Sequence, residues 1–208
     1  MAIPPLPTIP SSAPDSTLDV REVTAAREVT DTVLLLMGVS GCGKSTIALE
    51  LQRLLKWPFK EGDDLHPAAN VEKMRSGRPL DDQDRQPWLM AVARWIDDRL
   101  AAGEPGIITC SNLKRAYRNI TVGDRTGVTL IYLRAEERLI VDRVSRRKHR
   151  YMPASLLHSQ FETLQEPTAN EHAIVVSADG AVADTVIDLL HKVVASQHSV
   201  SRDETSRS

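Results

Sequence analysis

The chain has 208 residues, 41% of them hydrophobic and 26% charged, and a formal net charge of −2. That length suits one domain with an ordinary core, with or without tails. The near-neutral balance gives no global drive toward nucleic acid or an anionic membrane, and no apolar run approaches the roughly 20 residues needed to span a bilayer.

Residues 1–30 read as a disordered tail. Residues 1–20 alone hold five of the twelve prolines, with several Ser and Thr. They lack the basic start and apolar core of a signal peptide and the arginines of a transit peptide. A short apolar run over residues 32–37 predicts the first strand. Residues 45–55 carry Ile47, Ala48, Leu51, Leu54 and Leu55 at helical spacing. A second strand is expected over 57–61, then a polar connection over 77–87 and a helix over 87–101. Further strands are expected over 106–110, 128–133 and 173–177. Helices are expected over 136–147, 153–164 and 182–194, and the Ser-rich residues 196–208 read as a second disordered tail. Short apolar strands alternating with helices predict an α/β fold. The expected sheet is five-stranded and mostly parallel, with helices on both faces, over a domain of residues 31–195.

The stretch Gly38-Val39-Ser40-Gly41-Cys42-Gly43-Lys44-Ser45 matches the phosphate-binding pattern Gly-x-x-x-x-Gly-Lys-Ser/Thr at every fixed position. It lies between a strand and a helix start, as a P-loop NTPase fold requires. Glycines let backbone N–H groups turn inward around an anion, and the helix N-terminus adds partial positive charge. Gly38, Ser40, Gly41, Cys42, Gly43, Lys44, Ser45 and Thr46 are therefore the expected nucleotide-binding residues. Lys44 can reach the β- and γ-phosphates of ATP, and the Ser45 hydroxyl can ligate Mg²⁺. Cys42 and Cys110 cannot build a disulfide framework and read as free thiols in a reducing compartment. Either they are small buried residues, or their oxidation would block the nucleotide site.

Three polar clusters fall at strand C-termini, where ligands bind in such sheets. The first is Glu61-Gly62-Asp63-Asp64-Leu65-His66-Pro67. A kinase needs a carboxylate to orient the attacking hydroxyl and accept its proton, here Asp63. Glu61 is the candidate second Mg²⁺ group, pointing with Asp63 to one side at a strand end. These acidic residues could also simply cap the next helix. The second cluster, residues 70–89, is too polar and too broken by Gly and Pro to be core, and Arg85 is its cation suited to a carboxylate. In the third, Lys114 and Arg118 stand four apart on a helix start, where like charges sharing a face suit an intervening anion. Finally, residues 143–150 hold five Lys and Arg. Without interleaved aromatics they suit a lid over residues 146–154, bringing arginines to a transferring phosphate, better than a nucleic-acid patch.

These stretches together resemble the gluconokinase family of the small thermoresistant type, related in fold to shikimate kinase. The resemblance covers about residues 33–194. It rests on the phosphate loop and Gly62-Asp63-Asp64-Leu65-His66-Pro67. It rests further on Lys73-Met74 with Gly77 and Pro79-Leu80, on Asp84-Arg85 with Pro87-Trp88-Leu89, on Cys110-Ser111 with Leu113-Lys114 and Tyr117-Arg118, and on residues 159–167. It implies transfer of the ATP γ-phosphate to the 6-hydroxyl of D-gluconate, with Mg²⁺, by a cytoplasmic homodimer. It also implies that Asp63, His66, Arg85, Ser111, Lys114, Arg118 and Gln160 bind the sugar acid, and that Arg143 and Arg147 join Lys44 and Asp63 as catalytic residues. Adenine is expected near residues 178–180. Two departures stand out: His149-Arg150-Tyr151 replaces the family's usual Gly-His before an aromatic, and Asn112 replaces Ala near the expected acceptor. The glycine-rich stretch that shikimate kinases carry after the third strand is absent.

Overall fold

The computed structural model describes residues 26, 28–30, 32–145 and 154–205. Five strands form one sheet: β1 Val33–Met37, β2 Phe59–Lys60, β3 Gly106–Thr109, β4 Val128–Arg134 and β5 Ile174–Ser177. Their order is β2-β3-β1-β4-β5, and every pairing is parallel. The helices are α1 Lys44–Leu55, α2 Ala68–Arg75, α3 Asp82–Ala102, α4 Arg115–Thr121, α5 Glu137–Ser145, α6 Ala154–Thr163 and α7 Val182–Thr205, with short 3-10 helices at Gly62–Leu65 and Ala169–Glu171.

β1 is buried along its whole length, so it reads as one apolar run rather than an alternation. Its side chains divide two core layers. Leu34 and Leu36 pack with Ile47 and Leu51 of α1 and with Val186, Leu189, Leu190 and Val193 of α7. Val33, Leu35 and Met37 face Trp88, Leu89, Val92 and Ile96 of α3 and Tyr117 of α4.

Four boundaries differ from expectation. α3 starts at Asp82, not near Pro87. Asp81 caps it by accepting from the Asp84 N–H at 2.9 Å, while the Asp84 carboxylate accepts the Asp81 N–H at 2.8 Å. This capping box uses Asp in both places, and Pro87 lies inside the helix. β2 is two residues long, so Glu61 and Asp63 flank and enter a 3-10 helix instead of ending a strand. α7 continues to Thr205, so residues 196–205 are helical rather than a tail. The expected N-terminal tail also ends earlier than residue 30. Val29 is buried in the α7 core layer, and the Thr30 N–H donates to Gln197 Oε1 at 3.2 Å. No described helix is long and apolar enough to cross a membrane. The expected lid, with Arg147, lies outside the described residues except for its last position, Ala154.

Candidate active site

The phosphate loop joins β1 to α1 and is shaped by its glycines. Gly38 has φ 143°, and a Cβ there would meet the Leu133 carbonyl at 2.8 Å and Cys42 Sγ at 2.9 Å. Gly43, at φ 104°, is the N-cap of α1, so Lys44, Ser45 and Thr46 form the first helical turn with their backbone N–H groups free of intrahelical partners. Lys44 Nζ donates to the Gly38 and Val39 carbonyls at 2.9 and 3.1 Å, which holds its ammonium across the loop. The Ser111 carbonyl accepts the Gly38 N–H at 3.3 Å, so this expected acceptor residue braces the loop through its backbone.

Gln160 of α6 also holds the loop. Its Oε1 accepts the Ser40 N–H at 2.8 Å, and its Nε2 donates to Ser40 Oγ at 3.1 Å. Both ends of the amide are thus engaged by the phosphate loop, whereas the acceptor was its expected partner.

Ser45 and Glu61, the two expected Mg²⁺ groups, lie side by side: Ser45 Oγ donates to Glu61 Oε2 at 2.5 Å. Thr109, at the end of β3 and fully buried, donates to the other Glu61 oxygen and accepts the Gly62 N–H at 3.2 Å. Thr109 was not singled out in the sequence, where a threonine closing a strand carries no distinctive pattern. Gly62 lies so close to β3 that a Cβ would come within 1.9 Å of the Thr109 carbonyl oxygen. Only glycine fits there, and this close approach fixes where the carboxylates on either side stand. The Ser45–Glu61 oxygen pair suits Mg²⁺, which binds through one or two carboxylate or hydroxyl oxygens and completes its shell with phosphate and water. Among the described residues no cluster of three His, Cys, Asp or Glu side chains could hold a metal by itself.

The acceptor side is built on Trp88, whose indole N–H donates to the Gly62 carbonyl at 2.8 Å. His66 stacks on Trp88 at 4.3 Å between ring centroids, and its Nδ1 lies 3.4 Å from Asn70 Nδ2. Burial lowers the His66 pKa, with Asp63 opposing and Arg85 reinforcing the shift, so the ring is neutral at pH 7. Asp63 is exposed, and its carboxylate has no hydrogen-bond or ion-pair partner among the described residues. Arg85 lies 6.0 Å above the Tyr117 ring and 3.8 Å from Asp82. Lys114 Nζ reaches both Asp82 oxygens at 2.8 Å.

Arg118 does not join this group. It is 2% exposed and pairs with Glu171 at 2.5 and 3.0 Å, and its Nη1 donates to the Asn112 and Gln165 carbonyls. Its fork is spent on the fold, and Lys114 has its own carboxylate, so no shared anion site lies between them. Lys114 is also the N-cap of α4 rather than a helical residue, so the i, i+4 face does not apply. Asn112 is likewise turned inward. It adopts φ 47°, which Asn tolerates, is fully buried, and donates to Thr121 Oγ1 at 3.0 Å. It therefore does not border the acceptor as expected.

On the other side of the loop, a cavity of about 260 Å³ is lined by Gly41, Gly43, Thr46, Arg143, Ala178 and Gly180, among others. Arg143 donates to the Ala178 carbonyl at 2.6 Å and the Asp179 carbonyl at 3.0 Å. Its guanidinium therefore borders the space beside residues 178–180, where the base was expected, and is anchored there. Cys42 and Cys110 are each 1% exposed. Burial pushes the Cys110 thiol up to about 12, which removes the thiolate that oxidation would need.

A family model described as an AAA domain matches residues 33–167. The chain is 46% identical over 146 residues to a gluconokinase of Gluconobacter oxydans, an alignment covering 70% of this chain and 82% of that one. It is 40% identical over 159 residues to the thermoresistant gluconokinase of Escherichia coli, covering 74% and 91%. The crystal structure of a gluconokinase from Sinorhizobium meliloti matches with a TM-score of 0.75 and 33% identity, over 83% of this chain and 97% of that one. With sequence shared over 82% and 91% of those two relatives and fold over 97% of the solved one, the chain belongs to the gluconokinase family.

Proposed function

We propose that the chain transfers the γ-phosphoryl group of ATP to the 6-hydroxyl of D-gluconate, giving 6-phosphogluconate and ADP. The observation that carries this reading is the adjacency of two sites. The phosphate loop with Ser45 and Glu61 stands beside a carboxylate, Asp63, that is unpartnered among the described residues, and a cation, Arg85, that lies 3.8 Å from Asp82. A sugar acid offers what such a pair needs: a carboxylate for the cation and a hydroxyl for Asp63.

In this reading the loop N–H groups and Lys44 hold the phosphates of ATP. Ser45 and Glu61 hold Mg²⁺, which when bound neutralises charge on the phosphate oxygens. Asp63 orients the acceptor hydroxyl and takes its proton. Neutral His66, stacked on Trp88, presents a ring nitrogen to the polyol, and Arg85 grips the carboxylate through its planar fork. Arg143 borders the nucleoside, and Arg147 is assigned to the transferring phosphate through the family resemblance. Placement in the cytoplasm and assembly as a homodimer are also part of the proposal; light scattering of the purified protein tests the assembly.

The direct test is a coupled ADP-release assay with Mg-ATP, with and without D-gluconate. Release should depend on gluconate and be lost in Lys44→Ala. ATP binding without turnover on gluconate would refute the reading.

A further inference from the structure

Asp82, the first residue of α3, is absent from the roles assigned above, yet it is the group on which the acceptor-side cations converge. Both its oxygens lie 2.8 Å from Lys114 Nζ. Tyr117, 5% exposed, donates its hydroxyl to Asp82 Oδ1 at 2.5 Å. Arg85 Nη1 stands 3.8 Å from the same oxygen. This is how a protein binds a carboxylate from a ligand, except that the carboxylate is its own. Lys114 lowers the Asp82 pKa, and Asp82 in turn raises that of Lys114, so both are charged at neutral pH.

The consequence is one of charge. Among the three charged side chains that meet here, Arg85, Lys114 and Asp82, two cations and one carboxylate leave one net positive charge at the end of the site away from Asp63. Lys114 is already held by both Asp82 oxygens, while Arg85 has only a long ionic contact among the described residues and keeps its planar donors for a single carboxylate. An acceptor with a second anionic group would find Lys114 engaged and the Asp82 charge opposing it, an obstacle built by like-charge placement rather than by shape. We propose that Asp82 is a specificity-determining residue that restricts the acceptor to polyols bearing a single carboxylate. This rests on the reading of Arg85 as the acceptor cation.

Calorimetry on the full chain, with ADP present, tests it through binding rather than turnover. The probes are gluconate, whose C1 carboxylate carries one negative charge, and its analogue with a phosphonate at C1, whose head group carries up to two at the same end. The wild type should bind gluconate and discriminate against the phosphonate. Asp82→Asn keeps an oxygen acceptor for Tyr117 and Lys114 but removes the charge. It should narrow the ratio of the two dissociation constants about five-fold or more, chiefly by tightening the phosphonate. Asp82→Ser, also neutral and tolerated in a first helical turn, should shift the ratio the same way. An unchanged ratio in both variants overturns the proposal. So does parallel weakening of both acids, which would mean that Asp82 only holds Lys114 and Tyr117 in place. Absence of gluconate binding by the wild type would instead remove the acceptor reading, and this proposal with it.

Discussion

Arg118 and Glu171 form a two-point ion pair, at 2.5 and 3.0 Å, that ties α4 to the 3-10 helix ahead of β5. The same guanidinium caps the Asn112 and Gln165 carbonyls, so one side chain joins three segments behind the acceptor site. Arg118→Ala would leave the Glu171 carboxylate, its side chain 10% exposed, without its partner. Breaking such a pair costs about 3–5 kcal/mol, which chemical denaturation should read directly.

The pair also sets a pH dependence. Arg118 holds Glu171 down at about 2, against 4.5 for the free side chain. A lowered folded-state pKa means that the unfolded chain binds more protons in this window. The stabilisation is therefore complete above pH 4.5 and is lost as pH falls from 4.5 toward 2. Glu171→Gln should lower stability at pH 7 and flatten the slope of stability against pH in that interval. An unchanged acid slope in the variant would mean that Glu171 does not carry it.

What the sequence made legible was what repeats a strong local rule. The phosphate loop, the buried β1 run and the apolar spacing of α1 each follow from short-range chemistry, and with them came the parallel sheet and the Ser45–Glu61 meeting. What it hid depended on contacts far apart in the chain. Nothing near Arg118 marks it as the partner of Glu171, and nothing near Gln160 shows that it reaches Ser40, 120 positions away. Basic and amide side chains near a ligand site look alike in sequence whether they face the ligand or brace its walls. The α3 start was hidden for a different reason: Pro87 imitates a first helical position, while the Asp81–Asp84 box is a less familiar form of the capping signal.

Gln160 should behave as part of the nucleotide site. Gln160→Ala removes both hydrogen bonds to Ser40, leaving a loop N–H free to turn from its set direction. Two neutral hydrogen bonds are worth roughly 1 kcal/mol each at most, so KM for ATP should rise about five- to ten-fold. KM for gluconate should change little. A rise confined to gluconate would return Gln160 to the acceptor.

Thr109 should act through Glu61. Thr109→Val keeps the buried volume but removes the hydroxyl that donates to Glu61 and accepts the Gly62 N–H. ADP binding without metal should be unchanged, and the tightening produced by Mg²⁺ should shrink about ten-fold, as when an outer partner of a metal ligand is removed. Thr109→Ser should restore it. Loss of metal-free ADP binding would instead point to a collapsed loop.

Asp63 carries the most consequential prediction, because it is the exposed carboxylate of the acceptor side without a hydrogen-bond or ion-pair partner among the described residues. A structural carboxylate in this cluster would be paired, as Glu61 is with Ser45 and Asp82 is with Lys114. An unpaired one is available to a substrate hydroxyl. Asp63→Asn keeps the size and an oxygen acceptor but cannot take the proton. Turnover should fall on the order of 10²-fold or more, while ATP binding and thermal stability stay near wild type. Since Asp63 raises the neighbouring His66 against burial, its neutralisation should also lower the His66 pKa further, a shift that NMR titration of the ring would follow. Near-normal turnover in Asp63→Asn would remove Asp63 as the base and leave the reaction to positioning and phosphate-charge stabilisation alone.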